Sequence, residues 1–90
     1  MKPSLQKVRD LYPEGKIICV EEYFTPEKKW TSLLSDGTDV RDPDLYYTYG
    51  LNFVLEFCVR EGAEKVTIKV VDKDDKVCYP DYRVEELYEN

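Results

Sequence analysis

The chain reads as an α+β domain: a two-layer sandwich whose antiparallel sheet of about four strands, in α-β-β-α-β-β-α order, carries a long central helix on one face. Three observations predict it. Segments of strand composition come in two pairs, each joined by a turn of hairpin length. Between the pairs, Asp42-Pro43-Asp44 opens a stretch with no strong break until Gly62. With 90 residues, the chain has room for one small core and no second domain.

Taken in order, Leu5, Val8, Leu11 and Tyr12 have helical spacing behind Ser4, a side chain able to cap the first turn, and Pro13 and Gly15 stop the helix. Lys16 to Phe24 is β-branched and aromatic, a strand apolar on both faces in its first half and so expected inside the sheet. Thr25 to Lys29 is the turn, and Trp30 to Ser35 returns. Asp36-Gly37 is a second turn signal before Thr38-Asp39-Val40. At Asp42-Pro43-Asp44 an N-cap carboxylate, a proline with preset φ and a first-turn acid start a helix that runs to about Glu61, where Gly62 can take the left-handed ending. Asp44, Thr48, Asn52, Glu56 and Arg60 form its polar stripe; most of the rest is apolar, so the helix should be covered on more than one side.

Lys65 to Val71 alternates as a half-buried strand, Asp72 to Lys76 turns, and Val77-Cys78-Tyr79 returns until Pro80, which lacks a ladder donor. From Asp81 the tail reads as a last helix with Val84, Leu87 and Tyr88 on one side and Glu85, Glu86 and Glu89 in water.

Charge and composition exclude more than they assign. The chain has no histidine, which removes the commonest general base and metal ligand. Net charge is -6, and it is uneven: residues 1–30 carry six basic and five acidic groups, the remainder seven and fourteen. A phosphate backbone would be repelled by the second part, so no direct nucleic-acid binding is expected, whereas basic protein surfaces would be attracted. Cys19, Cys58 and Cys78 are odd in number and widely spaced, which argues against a disulfide framework or zinc site and for reduced, buried, small apolar residues. The N-terminus lacks the apolar region of a signal peptide and no membrane contact is expected, so the expected compartment is the cytoplasm, a host's if the chain is phage-encoded.

Five groups of residues are candidates for chemistry or binding. Asp36, Asp39, Asp42 and Asp44 offer oxygens for a hard cation, but neither this segment nor 72–83 has the calcium-loop pattern, so turn formation and helix capping explain them and no metal or cofactor is expected. Glu21-Glu22 and Asp74-Asp75 are carboxylate pairs; adjacent strand residues point to opposite faces, which keeps Glu21 and Glu22 from acting together. Tyr46, Tyr47 and Tyr49 cannot all face one sheet, and an exposed member would anchor a protein partner. Lys28-Lys29-Trp30 joins basic residues to a stacking ring, with a hairpin leading into a core tryptophan as the plainer account.

The last group is the carboxylates as a set: Asp36, Asp39, Asp42 and Asp44 on one connection, Asp72, Asp74 and Asp75 on another, Glu85, Glu86 and Glu89 on the tail. Gathered on one face, they would make a row of negative charge like the phosphates of one DNA strand, spaced about 7 Å apart. In size, acidity, tyrosine content and α+β pattern the chain resembles the small acidic anti-host DNA mimics of bacteriophages, such as the Arn-type anti-restriction proteins of T-even phages. That resemblance implies an inhibitor seated in the DNA site of a DNA-binding or restriction protein, often as a dimer. The expectation is therefore a non-enzymatic protein-binding protein, with a homodimer as one way to bury the aromatic excess. An adaptor using the tyrosine-rich helix, and a small carboxylate enzyme using Arg41 or Arg60, are the alternatives.

Overall fold

Two short hairpins meeting at their longest strands build the sheet, and the computed structural model describes them through residues 2–33 and 50–88. The elements are α1 (Gln6–Leu11), β1 (Lys16–Thr25), β2 (Lys29–Ser32), α2 (Gly50–Arg60), β3 (Lys65–Val71), β4 (Val77–Cys78), β5 (Asp81–Arg83) and a 3₁₀ turn, Val84–Leu87. All pairings are antiparallel: β2 lies beside β1, β1 beside β3, and both β4 and β5 on the far side of β3.

This corrects the expected sandwich. Among the described residues the fold is rich in sheet, with five strands, and its longest helix is α2. α2 has 11 residues, and its first, Gly50, sits at φ +79°, a left-handed conformation that a right-handed helix cannot carry through its interior. The expected helix start at Asp42-Pro43-Asp44 lies outside the described residues, as do the turn at Asp36-Gly37 and the tyrosines Tyr46, Tyr47 and Tyr49. α1 is shorter still; its N-cap is Leu5, which makes no side-chain cap, and the expected cap Ser4 stands one residue earlier, its Oγ accepting the Gln6 N–H at 3.1 Å.

The expected C-terminal helix is a strand and a single 3₁₀ turn. Val71 and Val70 pair with Val77 and Cys78, and Thr67, Val66 and Lys65 with Asp81, Tyr82 and Arg83, so Pro80 falls opposite Ile68 with no residue inserted. Ile68 N–H donates to the Pro80 carbonyl at 3.0 Å, while the proline ring supplies no donor in return. Pro80 interrupts the ladder by one bond, and the strand continues past it. Tyr82 on β5 and Val84 and Leu87, the first and last residues of the 3₁₀ turn, all point inward, which satisfies the spacing that suggests a helix.

β1 departs from a flat strand in a way that decides the surface. Its pairing steps from Ile17↔Val70 to Cys19↔Lys69, and again from Val20↔Ile68 to Glu22↔Thr67. Each step is a β-bulge, two residues facing one on the partner strand. Ile17, Val20 and Tyr23 consequently turn toward the core at intervals of three, and Glu21 and Glu22 both stand opposite Thr67 on the same face. The rule of alternation, which kept these two glutamates apart, fails at a bulge.

One face of the sheet is the core. Val20, Tyr23, Val66, Ile68, Val70 and Tyr82 pack there against Val54, Leu55 and Cys58 of α2, Leu5 and Val8 at α1, Leu33, Val84 and Leu87. The chain ends close the same layer: Ser4 N–H donates to the Leu87 carbonyl at 2.7 Å, and Pro3 bridges to Tyr88.

Candidate functional site

The face of the sheet turned away from α2 carries what the fold leaves on display. Across it, in register, stand Trp30, Phe24, Lys65 and Arg83; then Ser32, the Glu21–Glu22 pair, Thr67 and Asp81; then Ile18 and Cys19, Lys69 and Tyr79; and last Lys16, Val71 and Val77. Side-chain contacts confirm that these residues share one side. The Phe24 and Trp30 rings lie 5.5 Å apart at 59°, Lys65 Nζ sits 5.2 Å from the Phe24 ring centre, and Lys69 Nζ sits 6.0 Å from that of Tyr79. Thr67 Oγ1 donates to Asp81 Oδ1 at 2.6 Å, and Cys19 Sγ donates to Glu21 Oε2 at 3.3 Å.

Exposure on this face is uneven: Cys19 and Thr67 in its middle rows are buried, and the apolar side chains around them are exposed. Among the described residues the exposed large apolar side chains are Leu11, Ile18, Trp30, Val77 and Tyr79, and all but Leu11 belong to it. Trp30 is 40% exposed and Tyr79 53%. The expected core tryptophan is thus a surface residue, paired with Phe24 beyond the hairpin turn in which Thr25 Oγ1 accepts the Lys28 N–H at 2.9 Å. Isolated apolar side chains on a surface are ordinary, but several on one sheet face beside lysines and an arginine have the composition of an interface core with its polar surround.

The acidic groups are arranged differently from the expected row. Asp72, Asp74 and Asp75 form the β3–β4 hairpin tip, whereas Glu85 and Glu86 follow β5, beyond the opposite end of β3. The seven residues of β3 separate the two groups by roughly 23 Å at ~3.3 Å per residue. Most of these carboxylates also have local work. Asp72 Oδ1 accepts the N–H groups of Asp74 at 2.8 Å and Lys76 at 2.9 Å, which shapes a tip whose Asp75 is at φ +60°. Glu86 Oε2 accepts the Arg83 N–H at 3.0 Å, and Glu85 lies 3.6 Å from the Arg83 guanidinium. Asp36, Asp39, Asp42, Asp44, Tyr46, Tyr47 and Glu89 lie outside the described residues, as does Arg41.

Of the two arginines named for a carboxylate enzyme, Arg60 is the one among the described residues. Arg60 lies over the Phe53 ring at 5.8 Å, beside a groove on α2 whose one carboxylate is Glu56. No group of three or more Cys, Asp or Glu side chains among the described residues is disposed to hold a metal. Cys19 and Cys58 are buried and Cys78 is half-buried. Burial, reinforced by the Glu21 hydrogen bond, pushes the Cys19 thiol up to about 12, and burial does the same for Cys58. Neither is a thiolate at neutral pH, so neither is poised as a nucleophile. No helix among the described residues is long and apolar enough to cross a membrane.

Sequence reasoning overlooked Ile18, Lys65, Lys69, Tyr79 and Asp81 as surface partners. The alternation of Lys65, Thr67 and Lys69 was a legible sign of a wet face; the two bulges that gather Ile18, Glu21 and Glu22 onto it had no local sign. No protein family, curated protein or solved structure matches the chain.

Proposed function

We propose that the chain is a non-enzymatic protein-binding module that grips its partner with the open face of the sheet. The observation that carries this reading is the gathering of Ile18, Trp30, Val77 and Tyr79, all exposed, on the side opposite the core. Tyrosine, tryptophan and arginine are the residues that most often anchor protein interfaces, because they bring large rigid area with a polar tip. Lysines over aromatic faces keep that area soluble while the partner is absent. The absence of histidine from the sequence and thiols held protonated favour binding over catalysis.

The reading keeps the expected protein partner and moves the contact from the acidic row and the tyrosine-rich segment to the sheet. An inhibitor that mimics DNA would contact its target through Asp74 and Glu85; a sheet-face binder would use Trp30 and Tyr79. A photo-crosslinking amino acid placed singly at each of these four positions, in cells of the source organism, separates the two. Cross-links to one common protein from positions 30 and 79, formed to the same extent when a lysate is irradiated with competing duplex DNA present, are the expected result. Cross-links confined to positions 74 and 85, or a partner displaced by duplex DNA, would overturn the reading in favour of DNA mimicry.

A further inference from the structure

One row of the open face has a chemical sequence of its own. Trp30 on β2, Phe24 on β1, Lys65 on β3 and Arg83 on β5 are successive direct neighbours across four strands. Two rings are followed by two cations. Val84 N–H donates to the Glu64 carbonyl at 2.9 Å, which makes the next pair, Lys65 and Arg83, the non-hydrogen-bonded kind in which side chains stand closest. Like charges placed so are unfavourable unless an anion separates them.

The two cations are turned apart. Lys65 leans to Phe24, and Arg83 meets Glu85 at 3.6 Å, a pair 69% and 75% exposed that contributes little. Both cations line a surface cavity of about 530 Å³ together with Ala63, Glu64, Val84, Glu85 and Tyr88.

We infer that this row takes an extended acidic segment of the protein partner, with an apolar side chain on the Trp30–Phe24 rings and a carboxylate between Lys65 and Arg83. The inference rests on the reading of the open face as the binding surface. Two inter-strand steps, roughly 10 Å, separate the ring pair from the cation pair. A polyproline II segment repeats its face every three residues at ~3.1 Å per residue, so an apolar residue and an acidic residue three places later match that span. A single-stranded nucleic acid also offers a flat group and an anion, but it repeats the charge at every step. Glu21, Glu22 and Asp81 occupy the adjoining row, and the chain carries -6 overall, so a polyphosphate, charged at every step, is repelled more strongly than a segment with one carboxylate.

The test uses the full chain and four probes: the capped peptide Pro-Pro-Leu-Pro-Pro-Glu-Pro-Pro, its Glu→Gln and Leu→Ser forms, and an oligothymidylate. Trp30 is the only tryptophan, so its fluorescence reports contact with the ring pair, and amide shifts of residues 65 and 83 report the cation pair. The expected result is saturable binding of the first peptide, weakened at least about fivefold by either change in the peptide and by Lys65→Ala or Arg83→Ala, with the melting temperature of both variants unchanged or raised. Equal binding of the Gln peptide, no saturation, or tighter binding of the oligothymidylate at physiological salt would overturn the inference. A partner cross-linked from position 30 that still binds a Lys65→Glu, Arg83→Glu chain would overturn this inference alone; loss of cross-links from the whole face would overturn the proposed function with it.

Discussion

Replacing Gly15 by alanine sets two effects of known size against each other. Gly15 closes the turn after α1, its N–H donating to the Tyr12 carbonyl at 2.9 Å. A Cβ there would lie 2.7 Å from the Val71 carbonyl oxygen and 3.2 Å from Tyr12 Cβ, where ordinary contact begins at 3.4 Å. The nearer atom is backbone at the end of β3, next to the Asp72 turn, so relief requires moving the strand end by about 0.7 Å. Overpacking of this kind costs about 1–3 kcal/mol. Against it, alanine narrows the unfolded ensemble and returns about 0.4–1 kcal/mol where the native conformation suits it. The steric loss wins by about 1–2 kcal/mol. In a domain of this size that lowers the melting temperature by roughly 5–15 °C, at about 4–8 °C per kcal/mol. Thermal and urea unfolding, followed by circular dichroism and Trp30 fluorescence, measure it directly. A melting temperature equal to or above that of the parent would refute the argument, since it would mean that the Gly15–Val71 approach is not enforced and only the entropy term acts.

Other outcomes follow from the same geometry. Pro80→Ala restores a donor facing the Ile68 carbonyl, so β4 and β5 should fuse and residue 80 should show a protected amide in hydrogen exchange, with stability changed by less than about 1 kcal/mol because the new bond offsets the lost rigidity. Asp72→Ala removes the acceptor for two backbone N–H groups and should cost about 1 kcal/mol in urea unfolding, whereas Asp74→Asn, which leaves that acceptor in place, should be silent. With Cys19 and Cys58 held near 12 in the fold against an ordinary 9, the unfolded chain loses those protons first as pH rises. Their contribution to stability is complete below pH 9 and is lost toward pH 12, so urea midpoints should fall over that window, and less steeply in Cys58→Ala. At pH 8 a thiol reagent should label Cys78 well before either buried cysteine, and rapid labelling of Cys19 would contradict its burial.

Much of the fold was legible because it is local chemistry. Gly15 and Pro13 ended α1, the Asp72–Lys76 turn placed the β3–β4 hairpin, and the alternation of Val66, Ile68 and Val70 identified the buried side of β3. The tail reads as a helix because Val84 and Leu87 are spaced equally well for a helix and for a strand leading into a 3₁₀ turn. What chose between them is the pairing of Arg83, Tyr82 and Asp81 with Lys65, Val66 and Thr67, a partner about fifteen residues away in the chain. The expected helix runs too long for a related reason: apolar spacing continues through Gly50, whose φ of +79° no pattern of side chains announces. Composition alone points Trp30 to the core, whereas its place opposite Phe24 on the outer face follows from register.

By itself the sequence determined a small acidic chain with two hairpins and no histidine for chemistry; of the three cysteines it marks as buried, Cys19 and Cys58 are, whereas Cys78 is half-buried. Only the tertiary structure decided which residues share a surface. The bulges at Ile18 and Glu21 rotate part of β1 by one residue each, and in a sheet one residue is the difference between core and solvent. That rotation depends on which β3 residues lie opposite, so it is a property of paired strands and is invisible in either strand alone.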